Sequence, residues 1–286
     1  MRTLTHQPAL FLLACYLSTQ LAHAGDAVIL VSGGPGLYDA QSPACDSRWD
    51  PYIIAPLERA ALQPPKVGVT PPHYFFWLVF KPAYEARWKA DQAGDTVRKS
   101  HVAAVKAAGH DSYVDLIEHH AKERRWNLIW VYSAKEFWQA LDRIQVAVDE
   151  FYYWGHANGD LWLTIEHEAD PATKQTRAKS PPDAYVIERR DVLHHKQLKR
   201  LFTGQSPQPN VFYGDHTDAF ALQWANHMRV PSCGFNCDVD FSKVEANGGE
   251  VLLQSANNGQ RGELVEFQPN KLPSRTPQIP WSLPNR

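Results

Sequence analysis

Histidine and aspartate occur together in two short segments of the sequence, and in each segment they follow an apolar, aromatic run. In FYYWGHANGD, residues 151–160, the run ends at His156. In NVFYGDHTD, residues 210–218, the run ends just before Asp215. An imidazole and a carboxylate that share a cleft can transfer protons or activate a nucleophile, and both are ligands for Zn²⁺, Mn²⁺ or Fe²⁺. The two segments therefore raise the hypothesis of one catalytic or metal site built from both turns.

The same polar residues also have ordinary structural roles. Aspartates such as Asp160 and Asp218 are common in turns and at helix N-caps. Asp215 and His216 are sequence neighbours, so their side chains can point apart, and His156 can simply end a strand. A catalytic pair and a purely structural pair of turns both stay open, and a metal site is the less favoured alternative.

The elements that hold these turns alternate between strands and capped helices. Strands are predicted over β-rich apolar runs, and helices over stretches that begin with a capping serine or aspartate. The predicted strands are 27–32, 127–132, 150–154, 210–213 and 230–234, with residues 161–165 as a hairpin partner of residues 184–188. The predicted helices begin at Ser112, at Ser133, at Asp191 (closed by Gly204) and near Phe220. This alternation predicts an α/β fold with a mainly parallel sheet and helices on both faces, and ligands bind such sheets at the carboxyl ends of the strands.

Two parts of the N-terminal half are less informative. Residues 40–75 are rich in proline and give no clear element, and residues 75–80 fit a strand as well as the start of a helix. Residues 33–36 are rich in glycine but lack both the G-x-G-x-x-G pattern and the Lys-Ser/Thr of a P-loop. We therefore predict a tight turn there and no cofactor.

The order of these segments resembles the caspase-like cysteine peptidases, and most closely their CHAT branch. In that family one strand ends in a histidine followed by glycine. A later strand ends in a small residue, the nucleophilic cysteine, a variable residue, threonine and glycine. His156 matches the histidine, and the helix predicted from Ser133 precedes it as in the family. In the second motif, Gly214 matches the small residue, Thr217 the threonine and Asp218 the glycine.

The sequence departs from the family at two positions that matter for catalysis. Asp215 stands where the family has its cysteine, and Ala157 stands where the family has the glycine whose N–H helps to hold the oxyanion. An aspartate is a poor nucleophile toward an amide, because the acyl product would be a mixed anhydride. The resemblance therefore implies a caspase-like three-layer sandwich over residues 25–267 that has lost its nucleophile.

The prediction that follows is a degenerate peptidase that acts as a peptide- or protein-binding module. His156 and Asp215 are what remains of the catalytic pair in this interpretation. The surrounding cleft is predicted to contain Gly155, Asn158, Gly159, Asp160, Gly214, His216, Thr217 and Asp218. Two alternatives stay open: a hydrolase that uses the His156/Asp215 cluster, with or without a metal, and a secreted α/β protein with no catalytic site.

The composition gives no electrostatic case for nucleic acid or for an anionic membrane surface. Hydrophobic residues make up 44% of the chain and charged residues 21%, as in ordinary globular proteins, and the net charge is −2. Basic surfaces that bind nucleic acid or anionic lipid carry a clear positive excess. Neither partner is therefore predicted.

The two ends of the chain differ from the rest. Residues 1–24 contain Arg2, an apolar core of about ten residues and the sequence Ala-His-Ala, which is typical of a secretory signal and too short to span a bilayer. We therefore predict a periplasmic or secreted protein with no integral membrane segment in the mature chain; a misassigned start codon would instead make it cytoplasmic. Residues 268–286 are predicted to be a Pro-rich tail.

Removal of the signal would leave three cysteines, Cys45, Cys233 and Cys237. An odd number does not indicate a disulfide framework. Each is better explained as a small buried residue, or as part of a local pair, than as a catalytic nucleophile.

Overall fold

The computed structural model describes residues 27–37, 48–61, 74–94, 96–165, 182–202, 209–241, 244, 251–253 and 262–269. The predicted signal sequence, Cys45, Gly204 and residues 270–286 of the predicted tail lie outside these ranges. The predictions that concern them therefore have no structural counterpart.

The first half of the described chain alternates between strands and helices. It forms β1 (Ala27–Ser32), α1 (Pro51–Ala61), β2 (Tyr74–Phe80), α2 (Lys81–Ala93), α3 (Thr96–Ala107), α4 (Tyr113–Arg124), β3 (Asn127–Val131), α5 (Ala134–Arg143) and β4 (Val148–Trp154).

The second half has shorter strands and a single α-helix within the described ranges. Its elements are β5 (His156–Ala157), β6 (Leu161–Trp162), β7 (Val186–Ile187), β8 (Asn210–Tyr213), α6 (Asp218–Met228), β9 (Ser232–Phe235), β10 (Val239–Asp240), β11 (Leu252–Leu253) and β12 (Leu264–Phe267). Within the same described ranges, three 3₁₀ helices span Asp183–Tyr185, Arg189–Leu193 and Lys196–Phe202.

Seven of these strands form one sheet in the order β12-β9-β8-β4-β1-β2-β3. All neighbouring pairs are parallel except β12 and β9, which are antiparallel. The prediction of one largely parallel sheet through residues 29, 129, 152, 212 and 231 is confirmed, with Pro231 lying one residue before β9. The chain is therefore an α/β protein with a mostly parallel central sheet.

Helices pack against both faces of this sheet. All six residues of β1 are buried, as the continuous apolar run predicts. Ile29 lies in a core cluster with Phe137 of α5 and Trp224 of α6. Leu30 points to the other face, into a cluster with Ile117 of α4. Successive residues of one strand thus belong to two separate cores.

Local signals in the sequence set several element ends. The Ser112 hydroxyl accepts a hydrogen bond from the Asp115 N–H (3.0 Å), and the Ser133 hydroxyl accepts one from the Glu136 N–H (3.2 Å), so both predicted caps are present. Residues 75–80 lie in a strand, β2, and α2 follows at once with a proline in its first turn, where a missing N–H costs nothing.

Two predictions about elements were wrong in detail. The α-helix predicted from Asp191 is two 3₁₀ helices, in which Leu198 and Phe202 are nevertheless buried. The apolar pattern specified their burial but not the tighter winding. The strand predicted at 230–234 is β9, and the central sheet continues beyond it with β12, an antiparallel edge that was not predicted.

A small antiparallel sheet follows β4. β5 pairs with β6, and β6 pairs with β7 through Leu161 opposite Ile187, so the predicted hairpin partner is confirmed. Within the described ranges no helix is both long enough and apolar enough to cross a membrane.

Candidate functional site at the carboxyl ends of β4 and β8

Glycines end three neighbouring strands of the central sheet: Gly33 after β1, Gly155 after β4 and Gly214 after β8. A Cβ added to Gly33 would lie 3.1 Å from the Gly155 Cα, and one added to Gly214 would lie 2.6 Å from the Gly155 carbonyl oxygen. A Cβ on Gly155 itself would lie 2.4 Å from the Tyr153 hydroxyl. Side chains at these positions would force the three turns apart, so glycine permits their close approach.

The two turns singled out by the sequence are hydrogen-bonded to each other. The Gly155 N–H donates to the Tyr213 carbonyl (3.1 Å), and the Gly159 N–H donates to the His216 carbonyl (3.0 Å). His216 has a positive φ of 52°, which is uncommon for a residue with a side chain. The turn after β4 and the turn after β8 thus form one continuous structure at the carboxyl edge of the sheet.

His156 is buried and hydrogen-bonded within this structure. Its side chain is 6% exposed, and its Nε2 lies 2.9 Å from the hydroxyl oxygen of Tyr52, in the first turn of α1. Phe241 also packs against Tyr52, with 4.9 Å between the ring centroids. The Tyr153 hydroxyl donates to the His156 carbonyl (2.8 Å), which fixes the backbone of the turn. His156 is therefore set among aromatic groups and does not line an open surface.

Asp215 is hydrogen-bonded to the segment that follows β9. Its Oδ1 accepts a hydrogen bond of 2.7 Å from the Val239 N–H at the start of β10. Burial raises the pKa of Tyr153 well above its ordinary value, and the negative charge of Asp215 adds to the increase. The charge of Asp215 thus contributes to the electrostatic environment of the tyrosine that anchors the His156 backbone.

Thr217 is buried, and its side-chain hydroxyl links β8 to β9. Its hydroxyl donates to the Phe212 carbonyl (2.7 Å) and to the Gly214 carbonyl (3.2 Å). The same oxygen accepts from the Phe235 N–H (3.0 Å). These three hydrogen bonds account for the threonine of this motif.

The remaining predicted residues lie on the outer side of the two turns. Asn158 is exposed, and Asp160 accepts a hydrogen bond from the Arg189 N–H (2.8 Å). The exposed His216 faces Asp238, with 3.1 Å between Nε2 and Oδ1. Asp215 and His216 thus turn to different partners. Asp218 is the first residue of α6 and not its N-cap, which is Thr217.

Neither described cysteine has the environment of a nucleophile. Cys233 and Cys237 are both buried and not paired in a disulfide. Burial, with the charge of Glu266, raises the pKa of the Cys233 thiol to about 12. Burial also raises the pKa of Cys237, and the nearby carboxylates, Asp238 first among them, add to the increase. Reactive cysteines have lowered pKa values, so these thiols match the prediction of small buried residues.

The residues that surround His156 were not predicted from the sequence. Tyr52 lies in the Pro-rich stretch that gave no clear element, and Val239 and Phe241 lie beyond the predicted strands. Two signals could have placed α1: Asp50 followed by Pro51, which is a typical helix start, and the helical spacing of Tyr52 and Arg59. Among the residues that the structure describes, no three His, Cys, Asp or Glu side chains are arranged to hold a metal ion.

The fold and site define an α/β protein with two hydrogen-bonded turns at the carboxyl edge of a mostly parallel sheet. Comparison with protein-family models, with curated proteins and with solved structures found no match to this chain.

Proposed function

We propose that this chain is a caspase/CHAT-like domain without a cysteine-peptidase mechanism, and that its carboxyl edge binds a peptide or protein partner. One observation carries the proposal. The turn that contains His156 and the turn that contains Asp215 follow neighbouring parallel strands and are hydrogen-bonded to each other. A histidine and a nucleophile that act together need such neighbouring positions, and here the nucleophile position holds an aspartate.

The contacts of the two residues support a structural role in place of a catalytic one. The His156 Nε2 interacts with the Tyr52 hydroxyl, and an Asp215 oxygen accepts the Val239 N–H. A carboxylate shortly before α6 is also favoured by the partial positive charge at the helix N-terminus. In this interpretation Asp215 keeps the negative charge that a thiolate would carry, while its bond to Val239 orders the adjacent segment.

The outer side of the turns supports the binding part of the proposal. Asn158 is exposed, and the side chains of His216, Asp238 and Arg189 are exposed by 49%, 59% and 51%. These groups supply hydrogen-bond donors, acceptors and both signs of charge on a frame fixed by the sheet. A peptide backbone with polar side chains is the class of partner that such a surface fits.

Peptide selection tests the binding proposal. A displayed library of random dodecapeptides is panned against the wild-type chain, and the affinity of the enriched peptides is measured by calorimetry. We expect binding to be lost in Asn158→Ala/His216→Ala and kept in His227→Ala, a matched histidine variant at the opposite end of α6. Peptides that bind both variants equally well would place their site elsewhere and overturn the proposal.

Peptide turnover tests the absence of a peptidase mechanism. We expect the wild-type chain to leave a fluorogenic peptide library uncleaved, with or without added Zn²⁺ or Mn²⁺. Cleavage that disappears in His156→Ala would replace this proposal with the hydrolase alternative. Cleavage that survives in that variant would point to a contaminating protease.

We also propose that the protein is exported with cleavage after Ala24. The test is N-terminal sequencing of the protein from its native host, with Gly25 expected as the first residue. An intact Met1 on protein from the cytoplasm would reject export.

A further inference from the structure

We infer that β3 is a dimerisation edge, at which a second copy of this chain adds its own β3 in antiparallel orientation. The inference does not depend on the proposed function, because β3 is at the far side of the sheet from β8. In the sheet order β3 is the last strand, and among the described residues it pairs with β2 alone. The outward N–H and C=O groups of an edge strand are a template for another strand.

The sequence of β3 lacks the features that protect edge strands. Monomeric proteins usually place lysine, proline, a bulge or another charge on an exposed edge. β3 reads Asn-Leu-Ile-Trp-Val and keeps a regular five-residue register with β2. Leu128, Ile129 and Trp130 are all partly exposed, and Tyr132 just beyond the strand is 43% exposed.

The opposite edge of the same sheet has such protection. β12 carries the charged Glu266 in its four-residue span. Leu264 and Val265 of β12 are partly exposed, as the apolar residues of β3 are, so the charged Glu266 is what distinguishes the two edges.

Charges at the two ends of β3 select an antiparallel second copy as the occupant. Near the carboxyl end, Glu118 accepts a hydrogen bond from the Trp130 indole N–H (3.3 Å), and Glu136 accepts one from the Tyr132 N–H (3.2 Å). Lys81 also lies near the carboxyl end, with its Nζ 5.3 Å from the Trp130 ring centroid, but it pairs with Glu85 (3.8 Å).

Near the amino end of β3, Arg124 lies 5.8 Å from the Trp126 ring centroid, and the exposed Arg125 follows. The carboxyl end thus carries an excess of carboxylates, and the amino end carries guanidinium groups.

A twofold axis through Ile129 would bring these opposite ends together. Trp130 of each copy would then lie opposite Leu128 of the other, and Glu118 of each copy would lie toward Arg124 of the other. A parallel partner would instead set like charges beside each other. Isologous twofold contacts of this kind are the commonest form of soluble dimer.

Sedimentation equilibrium of the full chain over a wide concentration range tests the inference. We expect the apparent mass to rise toward twice the monomer mass, and the dimer to weaken with added salt because the flanking charges are exposed. Ile129→Lys should raise the dissociation constant roughly tenfold or more, since it places a charge against apolar side chains. The matched control, Val265→Lys on β12, should leave the constant unchanged.

Exposed charge variants give a second test that does not disturb the core. Glu118→Arg and Arg124→Glu should each weaken self-association, because each homodimer would then pair like charges. An equimolar mixture of the two variants should restore dimers, since both contacts become attractive in the mixed pair. A chain that stays monomeric at every concentration, a dimer that Val265→Lys but not Ile129→Lys disrupts, or a mixture that fails to associate would overturn the inference.

Discussion

Replacement of Thr217 by valine tests whether the second motif keeps its threonine for structural reasons. Valine preserves the shape of the side chain but removes the hydroxyl that binds the Phe212 carbonyl and the Phe235 N–H. An orphaned buried N–H costs about 1–3 kcal/mol, and the lost bond to the carbonyl adds about 1 kcal/mol. We therefore expect Thr217→Val to lower the free energy of unfolding by about 2–4 kcal/mol.

Thr217→Ser is the matched control for this prediction. Serine keeps the hydroxyl and loses one methyl group, which is worth about 1 kcal/mol when buried. Urea unfolding followed by tryptophan fluorescence measures both variants, with a change in midpoint at constant slope as the signature of altered stability. A valine variant within about 0.5 kcal/mol of wild type, or a serine variant as unstable as the valine one, would refute the structural explanation.

Three further predictions concern the same region and its tyrosines. Tyr52→Phe removes the phenol that contacts the His156 Nε2 and should cost about 1–3 kcal/mol, whereas Tyr74→Phe, at an exposed tyrosine, should be neutral in the same urea assay. Gly214→Ala should cost about 1–3 kcal/mol, because its Cβ would meet the Gly155 carbonyl at 2.6 Å; a neutral result would mean that the turns separate easily. Stability should fall as the pH rises above about 10, since the unfolded phenols then lose protons that the folded state retains. Urea unfolding at several alkaline pH values measures this, and a level or rising stability would contradict it. Burial raises the pKa of four phenols in the described residues well above the ordinary value: Tyr84, Tyr113, Tyr152 and Tyr153.

Much of the fold could be predicted because local signals and tertiary packing agree. The all-apolar run of β1 is buried on both faces, and the serines at positions 112 and 133 cap the helices that follow them. β12 could not be predicted, since its four residues show neither a long apolar run nor a turn signal that fixes an antiparallel edge. Whether such a short segment forms a strand is determined by the neighbouring strand with which it pairs and not by its own sequence.

The candidate site was predictable only in part. The two turns were found because each follows a strong strand, and parallel neighbours bring such turns to one edge. The burial of His156 was not predictable, because its partner Tyr52 is 104 residues away and lies in a stretch without clear periodicity. The role of Asp215 likewise depends on the Val239 N–H. Because every residue except proline has a backbone N–H, the sequence does not show which of them Asp215 will bind.

The most direct test of the account is the reactivity of a thiol placed at position 215. Asp215→Cys is alkylated with iodoacetamide across a range of pH, alone and together with His156→Ala, and the wild-type chain, which contains Cys45 and the buried Cys233 and Cys237, provides the background rate. If the two turns form one site, the thiol pKa should lie below the free value of about 8.5 and should return toward it when the histidine is removed. The same pH dependence of alkylation in both variants would contradict the claim that the two turns form one site, and His156 would then only end a strand.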